Sequence, residues 1–150
     1  QRHRVLRAKV TQTTRGRAGQ DRKKRGMTLT SLVLGGRAAN RESTIHSRLD
    51  ATQDTAIILE GLPDGHSALD ALPATPLLKI ARIAPGCMHC TGNLIMRVTL
   101  NRILRDKPAR LYISVANTEH LEQLRLFLTQ APYDAWLTLG EDIDCGQPAN

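Results

Sequence analysis

The sequence predicts an α/β fold, a three-layer sandwich whose mainly parallel sheet is covered by helices on both faces. Three observations predict it. Short runs of continuous apolar residues recur along the chain, the pattern of strands buried on both faces. Stretches with apolar residues at helical spacing alternate with them, which is the signature of a parallel sheet with crossover helices. The length of 150 residues suits one domain large enough to bury a core.

The elements follow in order. Leu29 to Leu34 is an apolar run that ends at Gly35-Gly36, and Ser43 to Leu49 reads as a short helix. Thr55 to Leu59 is a second buried strand. Residues 61–76 carry two Gly and three Pro among polar residues and read as a loop. Leu77 to Ile83 is a third strand, interrupted by Lys79. Asn93 to Arg105 places Met96, Leu100, Ile103 and Leu104 at helical spacing, and Asp106-Lys107-Pro108 stops it. Leu111 to Val115 is a fourth strand. A helix over Glu119 to Leu128 has Thr118 as its N-cap, Glu119 in its first turn and an apolar stripe of Leu121, Leu124 and Leu128. Ala135 to Leu139 is a last strand. The domain is therefore expected over residues 27–140, with 141–150 as a flexible acidic tail.

Charge divides the chain at Met27. The net charge is +7, but residues 1–26 hold ten Lys/Arg and one acid, Asp21, for +9. Residues 27–150 hold eleven Lys/Arg and thirteen acids, for −2. A basic segment can attract nucleic acid or anionic membrane through counterion release. This one lacks any apolar pattern and reads as a disordered tail. Met27 follows Arg22-Lys23-Lys24-Arg25-Gly26 and directly precedes the first strand, so it reads as the true start, with 1–26 a leader. Nucleic acid is not expected as a partner, because Tyr112, Phe127, Tyr133 and Trp136 form no stacking platform. No apolar run approaches the roughly 20 residues of a membrane span, and none forms a secretory signal. Three cysteines, two of them three positions apart, argue against a disulfide framework and for reduced thiols in the cytoplasm.

Two motifs carry chemistry. Gly35 to Thr44 occupies the position of a phosphate-binding loop after the first strand. Against the pattern G-x-x-x-x-G-K-[ST], counted from Gly35, Asn40 stands at the second glycine, Arg41 at the lysine and Glu42 at the magnesium-binding hydroxyl. Asn40 crowds a loop that must wrap phosphate closely, Arg41 lacks the compact contact of lysine, and Glu42 adds negative charge beside a triphosphate. Ser43 and Thr44 supply a hydroxyl only in a shifted register. An ordinary strand-to-helix turn without nucleotide is the simpler reading.

The second motif is Gly86-Cys87-Met88-His89-Cys90, between the third strand and the helix after it. Two thiolates and an imidazole suit a borderline-soft cation such as zinc. A closed zinc site wants a fourth ligand: a water, His46, His66, His120, Cys145 or a second chain. The alternative is a small loop of partly buried thiols with an incidental histidine. Both motifs follow strands, at the carboxyl edge where ligands of parallel sheets gather.

The order of elements and motifs, over roughly residues 28–139, resembles the N-terminal part of the CobW-type metal-handling GTPases, related to HypB and UreG. There a phosphate-binding loop opens the domain and a Gly-Cys-x-Cys-Cys motif follows a later strand; here that motif is Gly86-Cys87-Met88-His89-Cys90. The family's strand ending in Glu-Thr-Ser-Gly matches Leu111-Tyr112-Ile113 followed by Ser114-Val115-Ala116-Asn117, without the acid or the glycine. Its Asn-Lys-x-Asp motif is absent. The resemblance implies a truncated P-loop NTPase-like fold that has lost nucleotide turnover and keeps zinc at Cys87, His89 and Cys90. The implied role is metal handling or regulation in a bacterial cytoplasm, with a metalloprotein client or another copy of the chain as partner. Two other readings stay open. One is an active nucleotide-binding protein with Gly35, Gly36, Asn40 and Arg41 around phosphate and Ser43 or Thr44 on magnesium. The other is an interaction module with neither ligand.

Overall fold

The computed structural model describes residues 27–63, 65–86 and 93–146. In chain order the elements are β1 (Thr28–Leu34), α1 (Ala38–Arg48), β2 (Thr55–Glu60), β3 (Leu78–Ile83), α2 (Leu94–Arg105), β4 (Arg110–Ser114), α3 (Leu121–Thr129), β5 (Leu137–Leu139) and β6 (Ile143–Asp144). Short 3₁₀ turns lie at Ala68–Ala71 and Tyr133–Ala135. The sheet order is β3-β2-β4-β1-β5, with β6 also on β1, and every pairing is parallel. The α/β sandwich expected from the alternating pattern is therefore the observed architecture.

The register explains the apolar runs. β1, β2 and β4 are interior strands, and β2 is buried along its whole length. Side chains alternate between the two faces. Leu32, Leu34, Ala56, Ile58, Leu111 and Ile113 face α2 and α3, whose Met96, Leu100, Leu124 and Leu128 complete one core. Val33, Ile57, Leu59 and Tyr112 face α1 and the first 3₁₀ turn, where Ile45 and Leu69 complete the other. Each Leu, Ile, Val or Met side chain among these contributes about 1.5–3 kcal/mol on burial.

Several boundaries differ from the sequence reading. Strand β5 starts at Leu137 rather than Ala135, which belongs to the second 3₁₀ turn. Helix α1 starts at Ala38, five residues earlier than Ser43, because the Asn40 side chain accepts the Arg37 N–H (2.8 Å) and fixes a first turn of low apolar content. The loop over 61–76 contains a 3₁₀ turn, capped where Ser67 Oγ accepts the Leu69 N–H and anchored by buried Leu69. Helix α3 starts at Leu121, so Glu122 rather than Glu119 lies in its first turn, and Thr118 only accepts the Leu121 N–H through its carbonyl. The tail read as flexible over 141–150 includes β6, whose pairing extends the β5 side of β1; Ile143 is buried against Val33 and Ile45. A two-residue strand has too little pattern to be seen in sequence. Among the described residues no helix is long and apolar enough to cross a membrane.

Candidate functional site

Strands β1 and β4 are neighbours, yet the chain leaves β1 toward β2 on one side and leaves β4 toward β5 on the other. Their carboxyl ends thus mark a topological switch point, the usual ligand crevice of an open parallel sheet. The glycine turn lies there. Gly35 and Gly36 both take positive φ (+77° and +60°). A Cβ on Gly35 would stand 2.5 Å from the Gly146 carbonyl oxygen and 2.8 Å from Asp144 Oδ1, so the β6 end closes directly over the turn. The Cys145 N–H donates to the Leu34 carbonyl (2.7 Å), and the Gly36 N–H donates to the Gly146 carbonyl.

Arg41 fills the crevice. It is 4% exposed. Its Nε donates to Ser114 Oγ at 2.8 Å, and its Nη1 donates to the carbonyls of Gly35 and Gly36, both at 3.1 Å. Burial pulls this guanidinium below its ordinary pKa, while the nearby Cys145, Glu60 and Glu42 oppose that shift. A phosphate-binding turn needs inward-facing N–H groups. Here the N–H groups of Gly36 and Arg37 are bonded to the Gly146 carbonyl and Asn40 Oδ1, and the turn's carbonyls face a cation of the same chain.

Glu42 is equally committed. Its carboxylate is bridged by Arg82, with Nη2 on Oε1 at 2.9 Å and Nη1 on Oε2 at 3.2 Å, and it accepts the Ser67 hydroxyl. Arg82 also donates to the Gly61 carbonyl (3.2 Å). The hydrogen bond to Glu42 raises the Arg82 pKa. One ion pair therefore ties α1 to β3 and to the loop after β2.

Glu60, the last residue of β2, is 3% exposed. Its Oε1 accepts the Ala116 N–H (2.7 Å) after β4, and its Oε2 accepts the Gly86 N–H (2.9 Å) after β3. Sequence reasoning passed over Glu60, Ser67 and Arg82. An acid closing an otherwise apolar, fully buried strand was the one available signal for Glu60.

The structure brings Gly35, Gly36 and Arg41 together, with Ser114 opposite. It does not bring Ser43 or Thr44 to them: Ser43 is exposed, and Thr44 Oγ1 donates to the Asn40 carbonyl (2.9 Å) and lies 3.3 Å from Cys145 Sγ. Asn40 is an exposed cap of α1. Cys87, His89 and Cys90 lie outside the described residues. Gly86, just before them, has φ +87°. Among the described residues no group of three His, Cys, Asp or Glu side chains could hold a metal ion. His46 is at the opposite, amino-terminal edge of the sheet, beside an apolar cavity of about 400 Å³ bordered by Leu49, Thr55, Leu72 and Leu78.

The chain is similar to the zinc chaperone YeiR of Escherichia coli strain K12, with 32% identity over 118 residues. This similarity supports a CobW-like relationship. The similar region covers 75% of this chain and 35% of YeiR, so the chain spans about a third of that relative's length. No family model matches the chain, and no solved structure matches it.

Proposed function

We propose that this chain handles a zinc-type metal ion through Cys87, His89 and Cys90, without nucleotide turnover. The observation that carries the metal half is the likeness to a zinc chaperone, in a chain whose Cys-x-His-Cys motif follows β3 in the sequence. Two thiolates and an imidazole form a soft, three-donor set. Three ligands leave zinc one position for a water or for a receiving protein's side chain, which suits a cargo that must be passed on. The receiving partner on this reading is a metalloprotein client or a second copy of the chain, met in the cytoplasm, where the thiols stay reduced.

The other half is supported by Arg41. Its guanidinium sits where a phosphate-binding lysine would serve a nucleotide, and it is spent on Gly35, Gly36 and Ser114. Ser114 stands where the resemblance expects an acid near magnesium.

Reductively purified protein should contain zinc by elemental analysis, and Cys87→Ser/Cys90→Ser should contain far less. Equal, near-zero metal in both ends the metal reading. Millimolar GTP or ATP with magnesium should leave the melting temperature unchanged, since a ligand that binds only the folded state must raise it. A clear upward shift would instead favour the nucleotide-binding reading, with Arg41 released onto phosphate.

A further inference from the structure

Strand β3 closes one side of the sheet. It pairs with β2, and among the described residues no strand pairs with its other side. The ladder shows which backbone groups that outer side presents. The Thr55 N–H donates to the Leu77 carbonyl (2.7 Å) and the Gly61 N–H to the Ile83 carbonyl (2.9 Å). Successive residues of a strand turn their backbone groups to opposite sides, so 77, 79, 81 and 83 serve β2 while Leu78, Ile80 and Arg82 turn outward. The Leu78 N–H is taken by the Thr75 carbonyl (3.2 Å). The N–H groups of Ile80 and Arg82, and the carbonyls of all three, have no hydrogen-bond partner among the described residues. Open edges of this kind are ordinarily guarded by brevity, charge, proline or a bulge. β3 runs six residues unbroken and without proline. Its two cations are neutralised within the chain, Lys79 by Asp106 and Arg82 by Glu42. Ile80 is 41% exposed. The helix beside this edge is apolar on the same side. Arg102 and Ile103 of α2 border a groove with Ile80 and Ala81. Val98 lies one turn before Arg102 and Ile95 one turn before Val98, and both are exposed. The opposite flank of α2 is occupied: Arg97 lies over the Phe127 ring, and Asn101 accepts the Tyr133 hydroxyl (3.0 Å).

We propose that a second copy of this chain covers this edge, pairing β3 with β3 antiparallel about a twofold axis through Ile80. Register and charge select this arrangement. Centred on Ile80, the two Ile80 residues exchange both N–H···O bonds, and each Arg82 N–H meets the Leu78 carbonyl of the other copy. All four unused strand donors then have acceptors, and Lys79 stands opposite Ala81. Centring on Lys79 or on Arg82 would set like charges face to face. Centring on Ala81 would serve the same donors but oppose Ile80 to Arg82 instead of to Ile80. A twofold axis normal to the sheet keeps both α2 helices on one face and brings Ile95 and Val98 toward their counterparts. Because both cations of β3 are already paired within the chain, the strand has no charge to attract an acidic segment, and a like edge is the fitting occupant. The contact needs no metal, so it is independent of the metal reading above.

The test is the solution mass of the full chain, measured by sedimentation equilibrium at micromolar concentration under reducing conditions with EDTA. The wild type should have twice the mass of one chain. Ile80→Lys sets two ammonium groups opposite each other and should have the mass of one chain. Leu126→Lys changes an exposed leucine on α3, which packs beside β5 at the far side of the sheet, and should stay dimeric. Ile80→Cys gives a second reading that does not depend on Ile80→Lys folding. Opposed residues of a hydrogen-bonded pair lie about 5.5 Å apart at Cα, within disulfide reach, so oxidation should link position 80 to position 80, located by peptide mass mapping. A monomeric wild type overturns the proposal, as does assembly beyond two chains. A dimer that survives Ile80→Lys, one that Leu126→Lys disperses equally, or an oxidised Ile80→Cys without the 80–80 link also overturns it. If the mass doubles only when zinc replaces EDTA, the metal reading stands and this proposal falls.

Discussion

The two edges of the sheet solve the same problem, ending parallel strands, with different chemistry. At the carboxyl edge three buried charged side chains, Arg41, Glu42 and Glu60, are consumed by backbone groups, hydroxyls and one arginine. At the amino-terminal edge, the turn from α1 to β2 is held by an exposed Asp50, whose Oδ1 accepts the N–H and hydroxyl of Thr52 (2.9 and 2.6 Å), beside the apolar cavity. Carboxylates with two or more donors thus occur at both edges, yet only those at the carboxyl edge lie away from water. Burial raises the cost of losing a partner, so the carboxyl edge is rigidly specified and the amino edge is tolerant.

The strongest way to break this contrast is to remove Arg82. Arg82→Met leaves the carboxylate of Glu42, 1% exposed, without its charge partner. Urea unfolding should show a loss of about 3 kcal/mol, as for other buried pairs cut on one side. Glu42→Met/Arg82→Met should regain much of that loss, because two apolar side chains replace two desolvated charges. A double variant as unstable as the single one would mean that the pair contributes more than mutual neutralisation.

A smaller effect sharpens the comparison within the carboxyl edge. Gly35 and Gly86 both hold positive φ, but a Cβ at Gly35 meets the Gly146 carbonyl and Asp144, whereas at Gly86 nothing among the described residues lies within 4 Å. Gly86→Ala should cost about 1 kcal/mol, the backbone term alone. Gly35→Ala should cost roughly 1 kcal/mol more, because the β6 end must move. Equal losses in denaturant melts would show that the β6 end yields freely and does not seal the turn.

What the sequence made legible follows from where the information lies. The interior strands were visible because Leu111 to Ile113 and Ala56 to Leu59 are continuous runs of apolar or aromatic residues, as burial on both faces demands. Helix α2 was visible because Met96, Leu100, Ile103 and Leu104 share one stripe. Glu42 was legible as a charge unsuited to phosphate, but its partners were not: Arg82 lies 40 residues away and Ser67 lies 25 away, and local spacing cannot encode pairs set by strand order. Helix α1 was read short because its first turn buries Arg41 and Glu42 rather than apolar residues, and hydrophobic periodicity cannot detect buried charge.

The smallest effect belongs to the exposed edge and is read through pH. The hydrogen bonds from Thr52 hold the Asp50 carboxyl below its ordinary 3.8 in the folded chain. A group whose folded pKa is depressed adds stability above its unfolded pKa, and that contribution disappears as pH falls through the folded value. Asp50→Ala should therefore be slightly less stable than the wild type at neutral pH, with the gap closing under acid well below 3.8. Paired urea midpoints at the two pH values measure it. A gap that persists unchanged in acid would assign the effect to turn geometry rather than to the carboxylate charge. A gap as large as that of Arg82→Met would remove the distinction between the two edges.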